Sequence, residues 1–359
     1  TSQIKNTTFE RLFMLKTHEN KEVFCAYPFN RIKIDPEGDA TMCCFHERKC
    51  LGNVLDAGLE AVWNSAVANE IRESTLRNEL HSTCCDSICP FIHVKNDLAN
   101  RRIHKIRVPL NLPVPFPRNI ELDLPTQWCN IGGLKPTSKN PACIMCERHV
   151  NFVPQKDRIK EICLMLGKYT FDAVHIQGVA EPFWKDRIFE MLDDMNLWNK
   201  PDTTVTTTTN GTILTKERIH RFLQLPKCGI TFSIDASTPE TYKRIRRLDA
   251  YYSVIKALKL YNSMRNPETQ NLYIHNNINL INVDEVIDMV ATASEVNVNH
   301  LEFNPTYATP GICVTKSNVH LFKRAEMQIL ETAKELGVNI NFLRKMTLDI
   351  EDEPLVQLG

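Results

Sequence analysis

At 359 residues the chain exceeds one typical domain, and its 43 basic residues balance 43 acidic ones, without the basic excess of a nucleic-acid binder. Apolar residues make up 43% of it, enough for a large core, yet no apolar run approaches the ~20 residues of a membrane span. The opening TSQIKNTTFERLFML lacks the charged, apolar and small-residue succession of a signal peptide, so the expectation is a cytoplasmic protein with no membrane or nucleic-acid partner.

The first 106 residues are cysteine-rich and show little regular periodicity: seven of the thirteen cysteines lie between Cys25 and Cys89. In a reducing compartment clustered thiols bind metal or do chemistry, so this segment is expected to hold one thiolate site. Residues 107–118, RVPLNLPVPFPR, carry four prolines, which rule out a helix interior and predict an extended linker. Beyond it, over 119–345, the pattern becomes repetitive. Apolar, β-rich runs at 119–125, 173–178, 204–210, 229–235, 272–280 and 300–306 alternate with amphipathic helical stretches, from DRIKEICLMLGKY to FKRAEMQILETAKELG. An acidic tail over 346–359 closes the chain.

Strand–helix alternation predicts an α/β fold with a parallel sheet and right-handed crossovers. Six units are too few for a closed eight-strand barrel, leaving a partial (β/α)6 TIM-like barrel or an open doubly wound sheet. Either fold places reactive residues at the C-terminal strand ends, and the polar residues gather there. The first strand runs into Cys129, the second into Gly178 and the Val179 to Pro182 turn, the third into Thr209-Asn210-Gly211 and the fourth into Ser233-Ile234-Asp235. A second group of thiols, Cys129, Cys143 and Cys146, includes a pair with two residues between them that equally fits structural zinc.

The segments IELDLPTQWCN, CIMCER, GVAEP, TTNGTILTKE and FSIDASTPETYKRIR, in that order, resemble the radical S-adenosylmethionine (SAM) enzymes, in the branch with a SPASM or twitch auxiliary-cluster domain. The resemblance implies that Cys129, Cys143 and Cys146 hold a 4Fe-4S cluster whose fourth iron is left open for the amino and carboxylate groups of SAM. It puts Met145 near adenine, Gly178 and Glu181 at the turn that meets the methionine amino group, Ser233 and Asp235 near the ribose, and Arg246 near the carboxylate. It further implies reductive cleavage of SAM to a 5′-deoxyadenosyl radical, fed by a flavodoxin- or ferredoxin-like donor, and hydrogen abstraction from a peptide or small-molecule substrate. Two departures stand out. Thirteen residues separate Cys129 from Cys143 where the family usually has three, a loop-closure difference of roughly 1 kcal/mol. The second glycine of the family's Gly-Gly-Glu-Pro turn is missing.

By the same resemblance CAYPFNRIKIDPEGDATMCC opens an auxiliary domain over residues 1–106, with Cys25 and Cys43 at the arms of a β-hairpin that turns at Gly38. LGNVLDAGLEAVWNSAVANEIRE is expected as the helix that follows. Cys85 and Cys89, or Cys84 with Cys89, complete an auxiliary 4Fe-4S cluster, for which zinc is the alternative. Such a cluster favours net oxidation or bond formation. Cys313, in the YATPGICVT loop, is the candidate hydrogen donor if the reaction is instead an epimerisation. Cys163 and Cys228 read as bystanders. A reading from another class is a non-catalytic iron–sulfur or zinc module that senses redox state.

Overall fold

The computed structural model describes residues 20–23, 25–43, 50–79, 81–84, 106–109, 112, 114–125, 128–131, 143–145, 157–178, 180–306, 309 and 311–342. Strand β1 (Asn20–Val23) precedes a one-turn helix α1 (Tyr27–Asn30) and the hairpin of β2 (Arg31–Ile34) and β3 (Asp39–Thr41). The hairpin turns at Gly38, whose φ of +98° is a left-handed conformation open to glycine; a Cβ there would lie 2.9 Å from Asn53 Oδ1.

The stretch expected as one helix is broken into β4 (Gly52–Asn53), α2 (Val54–Ala57), α3 (Leu59–Trp63) and α4 (Ala66–Leu76). Gly58, at φ +84°, ends α2, and Ser65 starts α4 anew by accepting the Ala68 N–H at 3.3 Å. Arg72 on α4 is fully buried. It lies over the Trp63 ring at 4.2 Å and donates to the carbonyls of Pro28 (2.7 Å) and Trp63 (2.6 Å), which locks α1 to α3 and α4.

Described residues of the proline-rich segment, Val114 and Phe116 among them, pack against their surroundings. The segment begins with β5 (Ile106–Pro109), antiparallel to β1. Trp63 Nε1 donates to the Val114 carbonyl at 3.0 Å, and the Phe116 ring stacks on Phe171 with centroids 5.7 Å apart.

The six expected strands follow as β6 (Asn119–Leu124), β7 (Ala173–Gly178), β8 (Thr204–Thr209), β9 (Cys228–Ser233), β10 (Gln270–Ile278) and β11 (His300–Pro305), all parallel. Between them run α5 (Ile159–Leu166), α6 (Arg187–Asp194), α7 (Lys216–Phe222), α8 (Pro239–Arg246), α9 (Tyr251–Met264) and α10 (Val286–Glu295), and α11 (Val319–Leu336) follows β11. A further parallel strand, β12 (Ile340–Phe342), adds one edge beyond the expected six. Helix α8 is additional too: Thr238 caps it by accepting the Thr241 N–H at 3.3 Å, and Pro239 presets its first turn.

These strands neighbour one another in strict chain order, without the reversal that defines a doubly wound sheet. Right-handed crossovers then put every helix on one face, and the sheet curls as a partial TIM-like barrel. β2 joins parallel to β6 on the other flank, so one sheet of ten strands runs from β12 to β4. Alternation separates the two faces. Ile120, Leu122, Val174, Ile176, Val205, Ile230, Phe232, Leu272, Leu301 and Phe303 are buried among helix residues such as Ile162, Leu192, Phe222, Leu258 and Phe322. The opposite face is polar. Along it Glu121, His175 and Thr206 stand in register, and so do Ser233, His275 and Glu302. A parallel sheet covered on both faces by apolar helices would show near-continuous hydrophobic strands. The polar row identifies the inner wall of the barrel.

Candidate active site at the strand ends

Cys129 follows β6 in a turn in which the Trp128 N–H donates to the Pro125 carbonyl at 3.0 Å. Its neighbour Asn130 ties this loop to the end of β8: Asn130 Nδ2 donates to Thr212 Oγ1 (2.8 Å), and Asn210 Nδ2 donates to Asn130 Oδ1 (2.9 Å). Cys143 is buried. The next residue, Ile144, donates its N–H to the Ile245 carbonyl at 3.1 Å, and Asn279 Nδ2 reaches Met145 Sδ at 3.4 Å. The end of α8 and the end of β10 thus both hold the cysteine loop. Burial pushes the thiols of Cys129 and Cys143 up; the Arg246 guanidinium opposes this at both, and each sulfur lies within the electrostatic reach of the other. Cys146 lies outside the described residues.

Gly178 ends β7 at φ +139°, and a Cβ there would meet the Leu124 amide nitrogen of β6 at 2.6 Å. The position admits only glycine. Three residues on, Glu181 is fully buried. Its Oε1 accepts the Thr209 hydroxyl (2.7 Å) and the Phe183 N–H (3.2 Å), and its Oε2 accepts the Asn210 N–H (2.8 Å). Burial outweighs these donors and pushes the carboxyl from 4.5 to about 7.

Asp235 sits just past β9 at φ +63° and is fully buried. Its Oδ1 accepts the Asn277 N–H at 2.7 Å, its N–H donates to Asn276 Oδ1 at 2.9 Å, and its carbonyl accepts Asn282 Nδ2 at 2.8 Å. Arg246, on α8, pairs with Asp235 at 2.6 Å and donates to Ser233 Oγ at 2.7 Å. Of the asparagines near the end of β10, Asn277 faces the inner wall, whereas Asn276 is buried on the other face. One turn before Arg246, Tyr242 is fully buried, and burial pushes its phenol up to about 12. The structure therefore brings Cys129, Cys143, Met145, Glu181, Ser233, Asp235 and Arg246 to the C-terminal ends of β6 to β10.

The inner wall below them is laced with pairs that sequence reasoning passed over. Lys33 meets Asp123 at 2.6 Å, Arg31 meets Glu121, and Gln177 Nε2 donates to Glu121. His275 Nδ1 lies 2.7 Å from Glu302 Oε1, and Asn341 Nδ2 donates to Glu302 Oε2 at 3.0 Å. The signal was the alternation itself: His175 and Gln177, His275 and Asn277, Glu302 and Asn304 each stand two apart on apolar strands.

In the N-terminal segment Cys25 and Cys43 are half-buried and bracket the β2–β3 hairpin, and Cys84 is half-buried in the turn in which its N–H donates to the His81 carbonyl at 2.8 Å. Cys85 and Cys89 lie outside the described residues. Cys163 and Cys228 are core residues. Cys313 is half-buried at the same end of the barrel as the site, where the Leu280 N–H beyond β10 donates to the Ile312 carbonyl at 2.9 Å.

The sequence matches the profile of the radical SAM superfamily over residues 126–290 and that of the SPASM iron–sulfur cluster-binding domain over residues 25–90. No curated protein matches it. Among solved structures it is similar to anSMEcpe with bound AdoMet and the Cp18Cys peptide (14% identity, TM-score 0.46, 62% of each chain). It is also similar to SuiB of Streptococcus suis (16% identity, TM-score 0.46, 80% of this chain) and to a radical SAM methyltransferase from Sphaerobacter thermophilus (17% identity, TM-score 0.35, 52% of this chain and 55% of that one). The chain spans 62% of the length of anSMEcpe and of SuiB. Residues 126–290 are thus a radical SAM segment, and a SPASM segment over residues 25–90 precedes it. The radical SAM segment implies a 4Fe-4S cluster with S-adenosylmethionine, and the SPASM segment implies auxiliary iron–sulfur binding. The donors present fit: the sulfurs of Cys129 and Cys143, within electrostatic reach of one another, are soft ligands suited to an iron–sulfur group and unsuited to calcium or magnesium.

Proposed function

We propose that this chain is a radical SAM enzyme acting on a polar peptide or small-molecule substrate held against the inner wall of the barrel. The observation that carries it is the convergence of Cys129, Cys143, Glu181 and the Asp235–Arg246 pair on one mouth, above a wall of charged and amide side chains. Cys129, Cys143 and Cys146 would hold the cluster. When bound, the cluster and SAM supply a 5′-deoxyadenosyl radical that abstracts hydrogen from carbon. Glu181 offers a buried carboxylate for the methionine ammonium, and Gly178 leaves the neighbouring backbone open. Ser233 and Asp235 serve the ribose, and Arg246, held by both, presents its guanidinium to the carboxylate. Met145 packs at the adenine.

The auxiliary cluster takes Cys25, Cys43, Cys89 and either Cys85 or Cys84, in a unit over residues 1–106 that the 107–118 segment joins to the barrel unit at 119–345. It supports net oxidation or bond formation, with a flavodoxin- or ferredoxin-like protein as electron donor. Cys313, at the same mouth, is the hydrogen donor that an epimerisation would need.

Anaerobic reconstitution tests this reading. The expected result is about eight irons per chain and 5′-deoxyadenosine on reduction in the presence of SAM. Cys143→Ala and Cys146→Ala should abolish cleavage, while Cys25→Ala and Cys89→Ala should retain part of it. Zinc in place of iron, with SAM left intact, would refute it.

A further inference from the structure

The most conspicuous group left unused by that reading is the hydroxyl of Tyr242. It is buried and finds no hydrogen-bond partner among the described residues. A buried hydroxyl without a partner forfeits its hydration with no return, and folded proteins rarely leave one so. The position is not loosely packed. The Tyr242 ring meets Tyr251 edge-on with centroids 6.0 Å apart, and the Tyr251 hydroxyl is itself anchored to the Ser237 carbonyl at 2.6 Å.

Where the hydroxyl lies narrows what could meet it. Tyr242 and Arg246 are four residues apart on α8 and so share a face. That face is the one whose Arg246 bonds to Ser233 and Asp235, and the last turn of the helix receives the Ile144 N–H, one residue beyond Cys143. Tyr242 is buried, and Cys143 lies within its electrostatic reach together with Arg246 and Asp235.

We infer that the Tyr242 hydroxyl donates a hydrogen bond to a sulfur of the cluster held by Cys129, Cys143 and Cys146, making it a positioning and tuning residue. The inference rests on the function proposed above. An iron-bound thiolate or sulfide is a stronger acceptor than a neutral thiol, so the partner arrives with the cluster. Reduction adds negative charge to the cluster, and a donor to its sulfurs favours the reduced form. Hydrogen bonding to the sulfurs is one of the levers on cluster potential.

The test uses the full chain, loaded anaerobically, with redox titration followed by electron paramagnetic resonance. The signal that changes on addition of SAM identifies the open-iron cluster. Tyr242→Phe removes one hydroxyl and keeps the ring. It should lower that cluster's midpoint in the absence of SAM, by about tenfold in the oxidised-to-reduced ratio, which is about 59 mV for a one-electron couple. Tyr251→Phe disturbs the same ring pair without reaching the site and should leave the midpoint in place. An unchanged midpoint in Tyr242→Phe overturns the inference, as does an equal drop in Tyr251→Phe. A shift seen only with SAM present would assign the donor to SAM and overturn it too. A wild-type chain that loads no SAM-responsive cluster refutes the proposed function instead, and that outcome is read before any variant is made.

Discussion

Replacing Gly178 by alanine is the sharpest test of how the site is built. The residue adopts φ +139°, a region essentially reserved for glycine, and holding a side chain there costs about 1–3 kcal/mol. The new methyl carbon would also sit 2.6 Å from the Leu124 nitrogen and 3.0 Å from the Leu124 oxygen. Both are backbone atoms of β6, so no side chain can swing aside, and the ends of β6 and β7 must separate by several tenths of an ångström. Overpacking of this kind adds about 1–3 kcal/mol, for a total of roughly 2–6 kcal/mol. Urea unfolding of wild type and Gly178→Ala, compared at equal slope, measures the difference. Because Leu124 leads to Cys129 and Gly178 leads to Glu181, the variant should also lose iron from the SAM-ligating cluster more readily. A destabilisation under about 0.5 kcal/mol would refute the reasoning, since that is the range of an uninvolved surface substitution.

Three further outcomes follow from the described geometry. Glu181 has a folded-state carboxyl raised from 4.5 to about 7, so its contribution is fully present below the unfolded value and is lost as pH rises through the folded one. The stability of wild type relative to Glu181→Gln should therefore fall by roughly 3 kcal/mol between about pH 4.5 and pH 7 in the SAM-free chain, and a flat difference in urea titrations would contradict it. Asp235→Asn strips the counter-ion from a guanidinium that is nearly buried, and the chain should lose about 3 kcal/mol in the same assay; a loss near zero would mean that the pair is solvated. Arg72→Met leaves the carbonyls of Pro28 and Trp63 without their donor and should lower stability by about 2–4 kcal/mol, with Arg72→Lys recovering only part because an ammonium cannot fork to both.

The barrel was legible because its strands and helices keep their own periods. All six parallel strands were marked by β-rich runs. Helix α8 was passed over although Thr238-Pro239-Glu240 is a start signal, because only eight residues separate that cap from the end of the helix. The split of 51–73 turned on Gly58, a single residue whose left-handed conformation a helical period does not reveal. The pairing of β2 with β6 was out of reach for a different reason. Four-residue strands carry little pattern, and what selects the partner is a set of contacts, Arg31 to Glu121 and Lys33 to Asp123, between residues far apart in the chain. At the site, the residues at strand ends were visible, whereas the inner wall was not, since polar positions alternating on a strand usually face water.

The junction of β2 and β6 has a consequence for any attempt to work with the barrel alone. β6 leads into Cys129 and is paired on both sides. A fragment begun after residue 106 would strip β2 from it, leaving a row of N–H and C=O groups open to the next molecule and Glu121 without its Arg31 partner. Exposed strands of this sort invite edge-to-edge association, and natural sheets blunt or cover them. The cysteine-rich segment is in that respect the cover of the barrel's first strand, and a shortened chain should aggregate before its SAM chemistry can be examined.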